Sequence, residues 1–267
     1  MAFARIADIV LHYDFNAGDD GGPPIVFLNS LGTDFRIWRQ VVDTLGGAFP
    51  TLLYDKRGHG LSDLGRPPYT IDDHVNDIAG LLDHLGRQKA VLCGLSVGGL
   101  IAQRFQQRYP SRVQGLILCG TAHRVGTEAG WNDRITRVRA EGLAPIAEMV
   151  MPLWFTPAFH RERASELAGY RNMVSRQSPE GYAGTCAGIR DADYTAAAAG
   201  ITVPTLCIAG DLDGSTPPDL VRSLADLIPG ARFEVLQQAA HIMCVEQPAA
   251  VAALVRDFVT DLRGARK

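Results

Sequence analysis

A chain of 267 residues, 46% hydrophobic and 21% charged, has the make-up of a globular protein. At that length folding buries roughly three quarters of the unfolded surface, so no disulfide or metal staple is required. The net charge of -3 excludes the basic excess of a nucleic-acid binder, and no stretch reaches the ~20 apolar residues of a membrane span.

From the N-terminus, residues 1–14 lack a basic segment followed by an apolar core, so no secretory signal is expected. Ile9 to Tyr13 reads as an edge strand. Short apolar runs follow at Ile25 to Leu28, Thr51 to Tyr54, Ala90 to Cys93, Gly115 to Cys119, Thr205 to Ala209 and Phe233 to Leu236. Amphipathic stretches alternate with them, the pattern of βα units on a mostly parallel sheet. Thr70 and Asp73 form a capping-box pattern ahead of Val75, Ile78, Leu82 and Leu85, which share one helical face. Between about His123 and Gly200 strand-like runs disappear, and Trp131, Trp154, Phe155 and several arginines lie among helical stretches. Thr216 is placed to cap a helix with Pro217 at its first position. The last helix repeats Val251, Leu254, Val255, Phe258 and Leu262. The expected architecture is α/β: a mostly parallel twisted sheet flanked by helices. Residues 1–122 and 201–267 form the core, and 123–200 a helical cap. The five cysteines lack C-x-x-C or metal-ligand spacing and are expected to be reduced, in a cytoplasmic protein.

Chemistry concentrates at three strand ends. After Ala90 to Cys93 comes Gly94-Leu95-Ser96-Val97-Gly98. A serine squeezed between a strand and a helix needs small neighbours two residues either side, and the turn lifts its hydroxyl clear of the backbone. The Val97 N–H, at the helix start, then faces any oxyanion that develops. By chance about one chain in ten of this length carries such a pentapeptide, so the flanking strand and helix carry the argument for Ser96 as a nucleophile. A serine needs a base. Seven histidines are present, of which His241 alone follows a strand-like run by a short loop and precedes the final helix, at the strand end where α/β active sites form. His59, His74, His84, His123 and His160 fall in loops or helices and His12 on the edge strand. The orienting acid belongs after Thr205 to Ala209; Asp213 is preferred to Asp211, which suits a turn.

With those residues in place the chain resembles the α/β-hydrolases, and more narrowly the 3-oxoadipate enol-lactonases. The resemblance is carried by Asn29-Ser30-Leu31-Gly32-Thr33-Asp34, Tyr54-Asp55-Lys56-Arg57-Gly58-His59-Gly60, Cys93 through Gly99, Arg190-Asp191-Ala192-Asp193, and Gly210 through Pro218. It implies the α/β-hydrolase fold, a Ser96, His241 and Asp213 triad, and the Leu31 N–H as a second oxyanion donor beside that of Val97. It also implies opening of an enol-lactone through an acyl-enzyme, with no metal or organic cofactor. Such a lactone carries a free carboxylate, for which Arg134 and Arg190 are the candidates; Trp131 and Trp154 either line the pocket or pack the cap. Asp55, Arg57 and Ser62 are read as structural, with Arg57 paired internally. One departure stands out: relatives carry Gly-x-Gly-His-Ile-Pro around the base, whereas this chain reads Ala239-Ala240-His241-Ile242-Met243. Alanine resists positive φ, so a shifted histidine loop is expected. The same triad also serves carboxylesterases, cofactor-free perhydrolases and carbon–carbon bond hydrolases, and the fold also serves ligand receptors. Oligomeric state is not legible in the sequence.

Overall fold

The computed structural model describes residues 1–19 and 21–264, so positions 265–267 of the expected core segment lie outside it. Its strands are β1 (Ala2–Ile6), β2 (Ile9–Asn16), β3 (Ile25–Leu28), β4 (Thr51–Tyr54), β5 (Ala90–Leu95), β6 (Val113–Cys119), β7 (Thr205–Gly210) and β8 (Arg232–Leu236). They form one sheet in the order β1-β2-β4-β3-β5-β6-β7-β8. The β1–β2 and β2–β4 pairs are antiparallel, and every pair from β4 to β8 is parallel. All residues of β3, β4, β5 and β7 are buried, as unbroken apolar runs covered on both faces must be. The expected edge strand is β2, one place in from the edge. The true edge, β1, was not anticipated, because Ala2-Phe3-Ala4-Arg5-Ile6 is short and mixed in polarity.

Helices α1 (Arg39–Leu45), α2 (Ile71–His84) and α3 (Val97–Arg108) follow β3, β4 and β5. The Thr70–Asp73 capping box closes in both directions at the start of α2. Six helices separate β6 from β7: α4 (Glu128–Glu141), α5 (Ala144–Trp154), α6 (Pro157–Glu162), α7 (Ala164–Ser175), α8 (Pro179–Asp191) and α9 (Thr195–Ala198). The chain closes with α10 (Pro218–Leu227), α11 (Met243–Glu246) and α12 (Pro248–Gly264), the last packed on α1. Among the described residues no helix is long and apolar enough to cross a membrane.

The order of strands reverses between β3 and β5. From β3 the chain moves outward to β4, then crosses back to β5 on the other side of β3. Connections therefore diverge at the carboxyl ends of these two neighbours, where Leu28 pairs with Gly94, and a crevice opens there.

The loop after β4 is held from within the core. Asp55 accepts from His12 Nδ1 at 2.7 Å and from the N–H groups of Phe35 and Leu61, each at 2.9 Å. Arg57 makes a bidentate pair with Asp77 of α2 at 2.7 and 2.6 Å, both side chains buried. Removing one partner strands a buried charge, which typically costs about 3–5 kcal/mol. Asp77→Ala is thus expected to lose that much stability in urea unfolding. Asp72→Ala, which removes the half-exposed partner of Arg104, should lose under about 1 kcal/mol; equal losses would mean the Arg57 pair does not anchor the loop.

Candidate active site

The turn from β5 into α3 puts Ser96 at φ 58° and ψ −119°, a conformation that strains a non-glycine residue by about 1–3 kcal/mol. Two glycines make the turn possible. A Cβ on Gly94 would lie 2.3 Å from the Gly98 carbonyl oxygen, and one on Gly98 would lie 2.2 Å from the Leu28 oxygen. The backbones of β3, β5 and α3 touch here, leaving the Ser96 side chain to project from the end of the sheet.

His241 and Asp213 come from the loops after β8 and β7. Both are buried, and His241 Nδ1 lies 2.8 Å from Asp213 Oδ2. Asp213 Oδ1 accepts from the N–H groups of Ser215 and Thr216 at 2.7 and 2.9 Å, and Oδ2 accepts from Thr216 Oγ1 at 2.8 Å. Burial works to raise the Asp213 carboxyl. The neighbouring imidazole and the two backbone N–H groups outweigh it and hold the group below its ordinary value. An ionised carboxylate can only accept, so Nδ1 carries the proton and Nε2 presents the lone pair a base needs. Thr216 therefore spends its hydroxyl on Asp213 rather than on a helix end; α10 begins one residue later than expected, after Pro217. Asp211 accepts the Ala239 N–H at 3.0 Å and ties the two loops together.

The histidine loop is strained elsewhere than expected. Neither Ala239 nor Ala240 takes a positive φ; Gln238 does, at 56°. Its neighbours hold it in place. The Ala240 N–H donates to Glu246 Oε2 at 2.6 Å, the Thr156 N–H donates to Oε1 of the same carboxylate at 2.8 Å, and the Ile242 N–H donates to the Trp154 carbonyl at 3.1 Å.

On the opposite wall, the loop after β3 presents Leu31. Turn bonds here run from the Gly32 N–H to His59 Nε2 at 3.0 Å and from the Thr33 N–H to the Ser30 oxygen at 3.3 Å. At the start of α3 they run from Gly99 and Leu100 to the Ser96 oxygen. Among the described residues the Leu31 and Val97 N–H groups take no part in these turns, as donors reserved for an oxyanion would be. Sequence reasoning passed over His59. Its Nδ1 faces the Arg57 carbonyl at 3.2 Å and its Nε2 accepts from Gly32. Burial, then the nearby Lys56 charge, push it well below the ordinary histidine value, so it is neutral. Its place in Arg57-Gly58-His59-Gly60, directly after a strand adjacent to β3, was the available signal.

Ser96, His241, Leu31 and Val97 share a cavity of about 230 Å³, which Trp131 and Trp154 among others also line. Arg134 is the one lysine or arginine among its described lining residues. The Arg134 guanidinium lies 5.3 Å from the Trp131 ring centre, and its charge works against the upward shift that burial imposes on the Tyr182 hydroxyl. No carboxylate pairs with it among the described residues, whereas Arg137 and Arg139 of the same helix pair with Glu141 and Glu180. Arg190 is not brought to the cavity: its guanidinium is bidentate to Asp191 at 2.7 and 2.9 Å and donates to Asn132 at 2.9 Å. A larger crevice of about 890 Å³ lies beside α7, lined by His12, Asp55 and Arg36 among others, and holds none of the candidate catalytic residues.

Residues 23–248 match the family described as the alpha/beta hydrolase fold, and the chain belongs to that family. It is 36% identical to 3-oxoadipate enol-lactonase 2 of Acinetobacter baylyi, over 94% of this chain and 95% of that one. The crystal structure of the enol-lactonase from Burkholderia xenovorans LB400 superposes with a TM-score of 0.93 at 39% identity, covering 97% of this chain and all of the other. A malate-bound thermophilic esterase from Thermogutta terrifontis superposes at 0.90 with 30% identity, covering 95% and 94%. The protein is accordingly a hydrolase acting on ester bonds, similar to the enol-lactonases.

Proposed function

We propose that the protein hydrolyses 3-oxoadipate enol-lactone to 3-oxoadipate, a step of aromatic degradation. The observation that carries this reading is Arg134, a cation with no carboxylate partner among the described residues, in a small cavity that also holds Ser96 and His241. A guanidinium so placed suits the free carboxylate of the lactone. Trp131 and Trp154 close the space around the ring. In this reading residues 123–200 are a cap over a core of 1–122 and 201–267. The five cysteines, all free and buried, suit a reducing, cytoplasmic setting.

In the reaction, Ser96 Oγ attacks the lactone carbonyl as its proton passes to His241 Nε2, and the oxyanion rests between the Leu31 and Val97 N–H groups. Collapse breaks the ring C–O bond. The departing enolate takes the proton from His241, stays tethered in the acyl-enzyme and becomes a ketone. Water, deprotonated by the same nitrogen, attacks the acyl carbon; its proton returns to Ser96 as the acid is released. Asp213 stays ionised and stabilises the imidazolium.

The test follows loss of the lactone's ultraviolet absorbance in wild type and Arg134→Leu. A charge-assisted contact worth about 2–3 kcal/mol implies a rise in KM of about 30–150-fold with little change in kcat, and no change for a neutral aryl ester. Unchanged KM for the lactone would remove Arg134 from the site. Cleavage of aryl esters through Ser96 with no turnover of the lactone would leave the esterase reading, which the Thermogutta terrifontis relative favours.

A further inference from the structure

Lys56 is a fully buried ammonium that the reaction above does not use. It lies on the loop after β4 and reaches across to the loop after β3, where Nζ donates to the Ser30 carbonyl at 2.6 Å and to the Thr33 carbonyl at 3.2 Å. The first contact is the informative one. The Ser30 carbonyl and the Leu31 N–H belong to a single peptide unit, whose resonance couples the two ends. Charge drawn toward the oxygen leaves the N–H a stronger donor, because hydrogen bonds in a chain polarise one another. The same oxygen also accepts from Thr33 Oγ1 at 2.9 Å. Asn29 Nδ2 and Lys56 both grip the Thr33 carbonyl, and His59 grips the Gly32 N–H from the far side.

We propose that Lys56 is a positioning residue that acts through the Ser30–Leu31 peptide, polarising and aiming the Leu31 N–H at the oxyanion formed on Ser96. The proposal rests on the serine-hydrolase reading with Leu31 as a donor, and is independent of which ester is the substrate.

The surroundings of Lys56 make its charge conditional. Burial is the largest influence and lowers its pKa to about 7, against the charges of Asp55 and Asp34, which favour the cation. His59 and His74, also within its field, are held neutral by burial first and then by Lys56 itself. Raising the pH through about 7 therefore removes the charge behind the oxyanion peptide, and kcat should fall. Stability runs the other way. The folded-state pKa lies below the ordinary lysine value of 10.5, so the unfolded chain binds the extra proton between the two values. The cost of burying the cation is fully present below about 7 and is relieved as pH rises from there toward 10.5. Falling kcat with rising stability separates this role from a scaffold that simply loosens.

The experiment measures kcat, KM and thermal midpoint from pH 6 to 9.5 for wild type, Lys56→Met and Thr33→Val. p-Nitrophenyl acetate is the substrate, with the lactone run in parallel. At pH 6.5 Lys56→Met should lower kcat about ten-fold, a fraction of the 10²–10³ lost with a whole oxyanion donor, with KM within two-fold. The fall in kcat above pH 7 should vanish in Lys56→Met, and so should the rise in midpoint. Thr33→Val should lower kcat a few-fold and keep the wild-type pH profile. Wild-type kcat in Lys56→Met, or a fall in kcat above pH 7 that survives the substitution, overturns the proposal. If Lys56→Met does not fold, wild-type kcat in Thr33→Val overturns it instead. Failure on the lactone alone, with the ester results as stated, counts against the substrate reading and leaves this one intact.

Discussion

Ser96→Ala is expected to lower kcat/KM by about 10⁵–10⁶-fold, leaving only what binding and the oxyanion donors supply. The variant is informative because little else changes. Alanine keeps the Cβ, and therefore the strain, of the φ 58° turn, and the close approaches that define that turn involve Gly94, Gly98 and Leu28 rather than the serine hydroxyl. Cavity shape and stability should survive. Active-site titration with a slow acylating ester, followed by intact-mass measurement, would show acyl-enzyme in wild type and none in the variant. Substantial residual turnover with a surviving adduct would place the nucleophile elsewhere.

The second large effect belongs to Asp213→Asn, with an expected loss of about 10⁴ in kcat. The geometry says why so small an exchange does so much. One carboxylate oxygen is committed to the Ser215 and Thr216 N–H groups, which require an acceptor. Asparagine must put its carbonyl oxygen there, which turns its NH₂ toward His241 Nδ1. The imidazole is then driven into the tautomer with Nε2 protonated, in which it cannot take a proton from Ser96. Loss of activity with an unchanged circular dichroism spectrum and thermal midpoint would fit this account. A variant retaining a tenth of wild-type kcat would mean that Asp213 does not set the tautomer, and Asp211 would then need the same test.

Much of the fold was legible because parallel strands buried on both faces are written as unbroken apolar runs. Five of the eight strands were found that way, the half-exposed edge strand β8 was found from a run interrupted by Glu234, and Thr70 and Asp73 marked a helix start by a local rule. The edge strand β1 carries no such run. The candidate site was legible where its chemistry is local: Gly94 and Gly98 bracket Ser96, and His241 and Asp213 sit just beyond strand ends. What escaped depends on contacts between distant segments. Nothing near Lys56 announces that it grips the Ser30 and Thr33 carbonyls. Glu246 reads as an ordinary helical acid until its two oxygens are seen on Ala240 and Thr156. Arg134 and Arg190 look alike in sequence; the carboxylate adjacent to Arg190 was the local hint that its guanidinium is already engaged. Thr216 resembled a helix cap because hydroxyls commonly cap, and only the folded loop reveals the stronger acceptor in Asp213.

The seam between the helical insertion and the base loop has a mechanical consequence. Trp154 and Thr156 at the α5–α6 corner are joined to Ile242 and Ala240 through three hydrogen bonds, two of them on Glu246. Lifting that corner would drag the residues on either side of His241 and pull the imidazole off Asp213. The roof over the cavity can thus move without misaligning the base only by pivoting about this corner as a hinge.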